Sequence, residues 1–256
     1  MQKPDVATAN AAVEAMRPDW DLARALLGGT RAMRKAGEDY LPRWPNEEVR
    51  DYQKRLATSV LFPAYKRTIE TLAAKPFSKP VAVSENVPQA IQEYLPDIDL
   101  EGRNLDTFAA GVMEDCLGYG LCGILVDYPD STDEAVPNAR PMTLAEERAA
   151  GLRPYWVHIR PWQILGWRAV RQAGAWVLLQ LRLMEMIEEP DGEHGSVMVE
   201  QVRVLEPGKW TLYRKASSTA QEWNVHDEGT VSMSAIPFVP CYGKRMGFMT
   251  AEPPLI

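Results

Sequence analysis

Three cysteines (Cys116, Cys122, Cys241) and three histidines (His158, His194, His226) supply every thiol and imidazole in the chain. A zinc site needs about four such donors, usually in closely spaced pairs. Cys116 and Cys122 are separated by five residues, a spacing that fits no common zinc pattern. The histidines stand far from one another, with no Cys or His at ligand distance in sequence. A structural role is therefore the expectation for all six, with Cys116 at a helix core position and Cys122 at a strand core position. Neither a metal nor a cofactor is expected. Glu185, Glu188, Glu189, Asp191 and Glu193 form the densest acidic cluster. Paired carboxylates hold magnesium or move protons, which would be the chemistry of a metal-dependent nuclease. Here they surround a predicted hairpin tip, where acids are ordinarily solvated. Ser232 and Ser234 lack the strand–turn–helix setting of a hydrolase nucleophile. Gly28-Gly29 has neither the preceding strand nor the Gly-Lys-Ser/Thr of a phosphate loop. No catalytic residue emerges, and the chain reads as something other than an enzyme.

Bulk properties agree with a component that works by contact. The 256 residues are 46% hydrophobic and 25% charged, ordinary for a soluble globular protein with a real core. Three cysteines are too few for a disulfide framework and suit a reducing compartment. The first residues lack the apolar core of a signal peptide, and the most apolar run, from Ala175, is too short for a bilayer and includes Gln180 and Arg182. No membrane partner is expected. The net charge of −7 is unevenly spread: residues 1–80 hold 14 Lys and Arg against 10 Asp and Glu, and the remainder 14 against 25. An autonomous duplex binder would carry a basic face instead. Eight tryptophans, several beside Arg or Pro, suit burial between helices and sheet or at subunit contacts better than base stacking.

The elements that must position these residues read as helices followed by an antiparallel sheet, an α+β chain. Residues 1–16 are expected to be a flexible arm. Residues 17–118 form an N-terminal helical region, 119–242 a β-rich, wing-like domain, and 243–256 the start of a lead-in to a missing stem. A first helix starts near Pro18-Asp19, and Gly28-Gly29 makes a helix end and turn. After the rigid Tyr40–Pro45 connector, Asn46 caps a helix running to about Ala74. Its predicted buried stripe is Tyr52, Leu56, Val60, Tyr65, Ile69 and Leu72, with a kink or break at Pro63. Pro88–Leu95 and Leu105–Leu117 are further helices. Gly118-Tyr119-Gly120 turns the second of these into a buried strand from Leu121. Asp130–Arg140 is a polar loop, and Thr143 with Glu146 forms a capping box. Strands follow at Tyr155–Ile159, Ile164–Ala169, Trp176–Glu188, Ser196–Leu205 and Lys209–Lys215, with a hairpin turn at Glu189–Gly192.

Several blocks, in order, carry a likeness. Leu26-Leu27-Gly28-Gly29-Thr30-Arg31-Ala32-Met33-Arg34, with Gly37 and Tyr40-Leu41-Pro42, resembles the N-terminal signature of a branch of tailed-bacteriophage portal (head–tail connector) proteins. Tyr52, Arg55-Leu56, Arg67-Thr68 and Phe77 to Pro80 continue it. So do Gly118-Tyr119-Gly120 with Val126-Asp127-Tyr128-Pro129, Ala145 to Tyr155, Trp167-Arg168, Ile236 to Gly243, and Pro253-Pro254-Leu255. The resemblance implies a structural, non-enzymatic ring subunit, usually dodecameric, at one capsid vertex. It implies self-association, contacts with the terminase large subunit, capsid or scaffold and tail adaptor proteins, and double-stranded DNA passing through without sequence specificity. It implies a place in the virion, reached through the host cytoplasm during assembly. The chain is shorter than such proteins and is expected to be truncated before stem and clip. Arg31, Arg34, Lys35 and Arg67 are the candidate subunit-contact residues. The alternatives are the nuclease and an α+β interaction module of unknown partner.

Overall fold

The structure, a computed structural model, describes residues 5–129, 143, 146, 149–217 and 220–256. It is α+β: helices come first and the sheets are antiparallel. The first helix, α1 (Ala11–Leu27), begins earlier than predicted and passes through Pro18. Pro in a helix interior costs about 3 kcal/mol. What outweighs that cost is the stripe Val13, Met16, Trp20 and Ala23, all buried at helical spacing. The Asn10 side chain accepts from the Val13 amide at 2.9 Å as the N-cap. Residues 5–10 are not a loose arm. The Asn10 amide donates to the Leu165 carbonyl, and Arg182 Nη1 donates to Val6 O at 2.5 Å.

The double glycine does end α1, and α2 (Gly29–Ala36) follows it. The predicted long helix is split around Pro63 into α3 (Val49–Thr58) and α4 (Ala64–Ala74), with Glu48 rather than Asn46 at the first N-cap. Only part of the predicted stripe is covered. Of its members Tyr52 and Ile69 are buried, whereas Val60 is 76% exposed and Leu72 36%. The break at Pro63 rotates the two halves out of one continuous face, so a stripe drawn through both cannot meet one surface. After α5 (Gln89–Gln92) comes α6 (Leu105–Tyr119), capped by Asn104. Thr143 and Glu146 make the predicted capping box, Thr143 N donating to Glu146 Oε2 at 2.8 Å and Glu146 N to Thr143 Oγ1 at 3.4 Å. The predicted loop 130–140 lies outside the described residues.

Among the described residues, ten strands make three sheets. Strands β1 (Leu121–Asp127), β2 (Tyr155–Ile159) and β8 (Phe238–Tyr242) form a small sheet with β1 in the middle. Strands β3 (Ile164–Gln172), β4 (Ala175–Asp191), β5 (Gly195–Glu206), β6 (Lys209–Lys215) and β7 (Trp223–Thr230) form a five-stranded meander. The distal end of the β4–β5 hairpin projects as a two-stranded ribbon, because β3 pairs β4 only up to Leu183 and β6 begins pairing β5 at Gln201. Residues 243–256, expected as the start of a lead-in to a stem, carry β structure. They hold a hairpin of β9 (Lys244–Gly247) and β10 (Thr250–Glu252), which places Met249 and Ala251 in the core.

That core ignores the predicted boundary between helical and β regions. One apolar cluster joins Val13, Met16, Trp20 and Ala23 of α1 to Tyr119 of α6, Leu121 and Leu125 of β1, Leu181 and Leu183 of β4, and Ala251 of β10. The turn feeding it is tight. Gly120 sits at φ +84°, and a Cβ there would lie 2.4 Å from the Glu252 carbonyl carbon. Gly120→Ala should therefore cost about 2 kcal/mol from left-handed strain and displaced backbone, read as a lower denaturation midpoint with unchanged m-value.

Candidate functional site

The pairing of the small sheet does what spacing concealed. In antiparallel register Cys122 lies directly opposite Cys241, and Ile124 opposite His158. Residues two apart on a strand share a face, so Cys122, Cys241 and His158 all present to the side covered by α6. Cys116, in the last turn of α6, comes down onto them. The three Sγ atoms lie within 4.8 Å of one another, with Cys116 and Cys122 in contact at 3.3 Å. Around them pack Ile98, Phe108, Val112 and Trp156. Cys116 and Cys122 are buried as the sequence predicts, while Cys241 is half-buried.

The three sulfurs are electrostatically unequal. The neighbouring Cys116 and Cys122 sulfurs hold the Cys241 pKa below the usual thiol range, against the opposing effect of burial. The Cys122 thiol is pushed up by its sulfur contacts with Cys116 and Cys241 and by burial. At Cys116 the contact with Cys122 lowers the pKa, but the bond given to Cys241 and burial outweigh it and the net shift is upward. His158 is lowered to about 4, first by burial and then by Arg160 and Arg103. Its Nε2 stands 3.2 Å from Asp115 Oδ2 without hydrogen-bond geometry. Asp115 itself is raised to about 6 by burial, partly offset by Arg160. Three converging sulfurs, one of them half-open, are a donor set for a soft metal ion or for thiol–disulfide chemistry.

The acidic cluster has a different fate. Glu185 and Glu188, three apart on β4, point to opposite faces. Glu185 Oε1 stands 2.8 Å from Arg203 Nε, and its Oε2 accepts from Gln201 at 2.8 Å. Glu189 accepts from Arg214 at 2.5 Å. Arg203 also donates to Asp127 Oδ2 at 2.6 Å, tying β5 to β1 across the two sheets. Burial opposes the Arg203 charge, but Glu185 and Asp127 outweigh it and hold the guanidinium more firmly protonated. These carboxylates are neutralised by guanidinium groups, a poor arrangement for magnesium. A cleft of about 460 Å³ lies beside this network, with Tyr155, Trp210 and His226 on its walls.

The four candidate contact residues separate into two kinds. Arg31, Lys35 and Arg67 are exposed. Arg34 is already engaged, donating through Nε and Nη2 to the Ser59 carbonyl at 3.0 and 2.7 Å. It holds α2 against the start of the α3–α4 connector. Trp20 is buried, and Trp44, Trp162 and Trp176 are exposed. Trp44 is 65% exposed under the Arg55 guanidinium, and Trp176 stacks on Phe248. Among the described residues no helix is long and apolar enough to cross a membrane. No protein-family model matches the chain, and comparison with curated proteins gives no match.

Proposed function

We propose that the chain is a structural assembly subunit of the tailed-phage portal kind, working by self-association in a ring around passing double-stranded DNA rather than by catalysis. On this reading its other partners are the terminase large subunit, capsid or scaffold proteins and tail adaptors. The observation that carries the proposal is the apolar surface left open. Two places among the described residues present open apolar side chains side by side. One is the α3–α4 connector, where Val60 and Phe62 are 76% and 74% exposed. The other is the projecting β4–β5 ribbon, whose outer face carries Met186 and Met198. A two-stranded ribbon is marginal alone, and exposed apolar patches of this kind mark contact surfaces. The resemblance in the helical blocks supports the same reading, and the pairing of Glu185 and Glu189 with arginines weighs against the nuclease.

Light scattering and negative-stain imaging test the proposal, on the chain alone and on a version extended beyond Ile256. Oligomers with a central opening are expected. Monomers at high concentration with no rings in either form would sink the idea. Val60→Glu with Phe62→Glu should weaken association at least about tenfold while leaving the circular dichroism spectrum unchanged, because neither side chain is in the core.

A further inference from the structure

We propose that Cys116, Cys122 and Cys241 bind one thiophilic metal ion, zinc(II), as a three-thiolate site that staples α6, β1 and β8 together. Tetrahedral zinc with Zn–S bonds of about 2.3 Å holds its sulfurs about 3.8 Å apart. The sulfurs here span 3.3 Å to within 4.8 Å, so side-chain adjustments of under about one ångström close them around an ion. Thiolates select soft or borderline metals over magnesium and calcium. Binding replaces three S–H bonds by three Zn–S bonds, releases the thiol protons to solvent, and displaces water from the hydrated ion. Cys241 is the half-buried member, so ion entry and the water that completes four-coordination belong on its side.

The competing description is three small apolar residues that happen to meet. Buried cysteines often are just that, but a 3.3 Å sulfur contact is closer than the roughly 3.5–4.0 Å of ordinary apolar packing. Convergence also needs three separate elements: the helix end at Cys116, the strand start at Cys122, and the register that sets Cys241 opposite. A disulfide could use only two of the sulfurs and would leave an odd thiol.

Cobalt(II) titration of the reduced protein, followed by optical absorption, tests the site. Thiolate-to-cobalt charge-transfer bands should saturate at one ion per chain, be displaced by zinc(II), and vanish in Cys241→Ser. A second measurement needs no variant. Alkylation of Cys241 by iodoacetamide, followed by mass spectrometry, should slow roughly tenfold or more with zinc present and recover with a chelator. Absent charge-transfer bands with all three thiols reduced would overturn the proposal. So would an alkylation rate indifferent to zinc, or a Cys–Cys disulfide as the resting form of protein purified without oxygen.

Discussion

Trp20→Ala is expected to destabilise the protein by about 3–5 kcal/mol, the largest effect expected of any apolar truncation among the described residues. Trp20 is 2% exposed and heads the fully buried side chains by size. It lies where α1 meets α6, β1 and the β9–β10 hairpin, so no single neighbour can move in to fill the space. Its indole Nε1 is buried without a hydrogen-bond partner among the described residues. That asymmetry makes a second variant informative. Trp20→Phe removes the unsatisfied N–H together with one ring, so relief of a desolvated donor offsets part of the cavity. It should cost less than half as much as Trp20→Ala. Denaturant unfolding followed by far-ultraviolet circular dichroism measures both. Equal losses in the two variants would show that the cavity left by the missing ring outweighs any relief of the buried N–H.

Arg203→Ala is expected to cost about 3 kcal/mol, because it leaves Asp127 and Glu185 partly buried with no cation between them. The lower end of the usual range applies, since each of the three side chains keeps some contact with solvent. Arg203→Ala combined with Glu185→Ala should recover part of the loss, because the stranded negative charge is removed along with its partner. Salt should change the single variant little, as this pair is screened far less than a surface one. A loss under about 0.5 kcal/mol, as for an exposed ion pair, would mean that Arg203 does not join the two sheets.

The strands from Tyr155 to Lys215 were legible because alternation and turn residues are local signals, and so was the Gly118–Gly120 turn. The N-terminus was misread because Pro18 and the polar residues around it masked a stripe at Val13, Met16 and Trp20. A proline penalty is local, whereas the burial that outweighs it comes from β-strands far along the chain. The same limit hid the thiol cluster. Nothing near Cys116 or Cys122 indicates that β8 will pair with β1, so Cys241 could not be placed opposite Cys122. Strands β7 to β10 were not predicted, being short or, for β7, rich in polar residues. Arg203 gave no signal either, since its partners come from two other strands.

The docking of α1 on β10 has a consequence for biogenesis. Residues near both ends of the chain wall the same apolar cluster, from Val13 to Ala251. On a ribosome adding about 5–20 residues per second, α1 emerges on the order of 10–50 s before Ala251 does. A helix of this length is marginal alone in water. The nascent chain therefore carries Val13, Met16 and Trp20 without their full cover until Ala251 has emerged, and a chaperone that holds short apolar segments would find its binding site there.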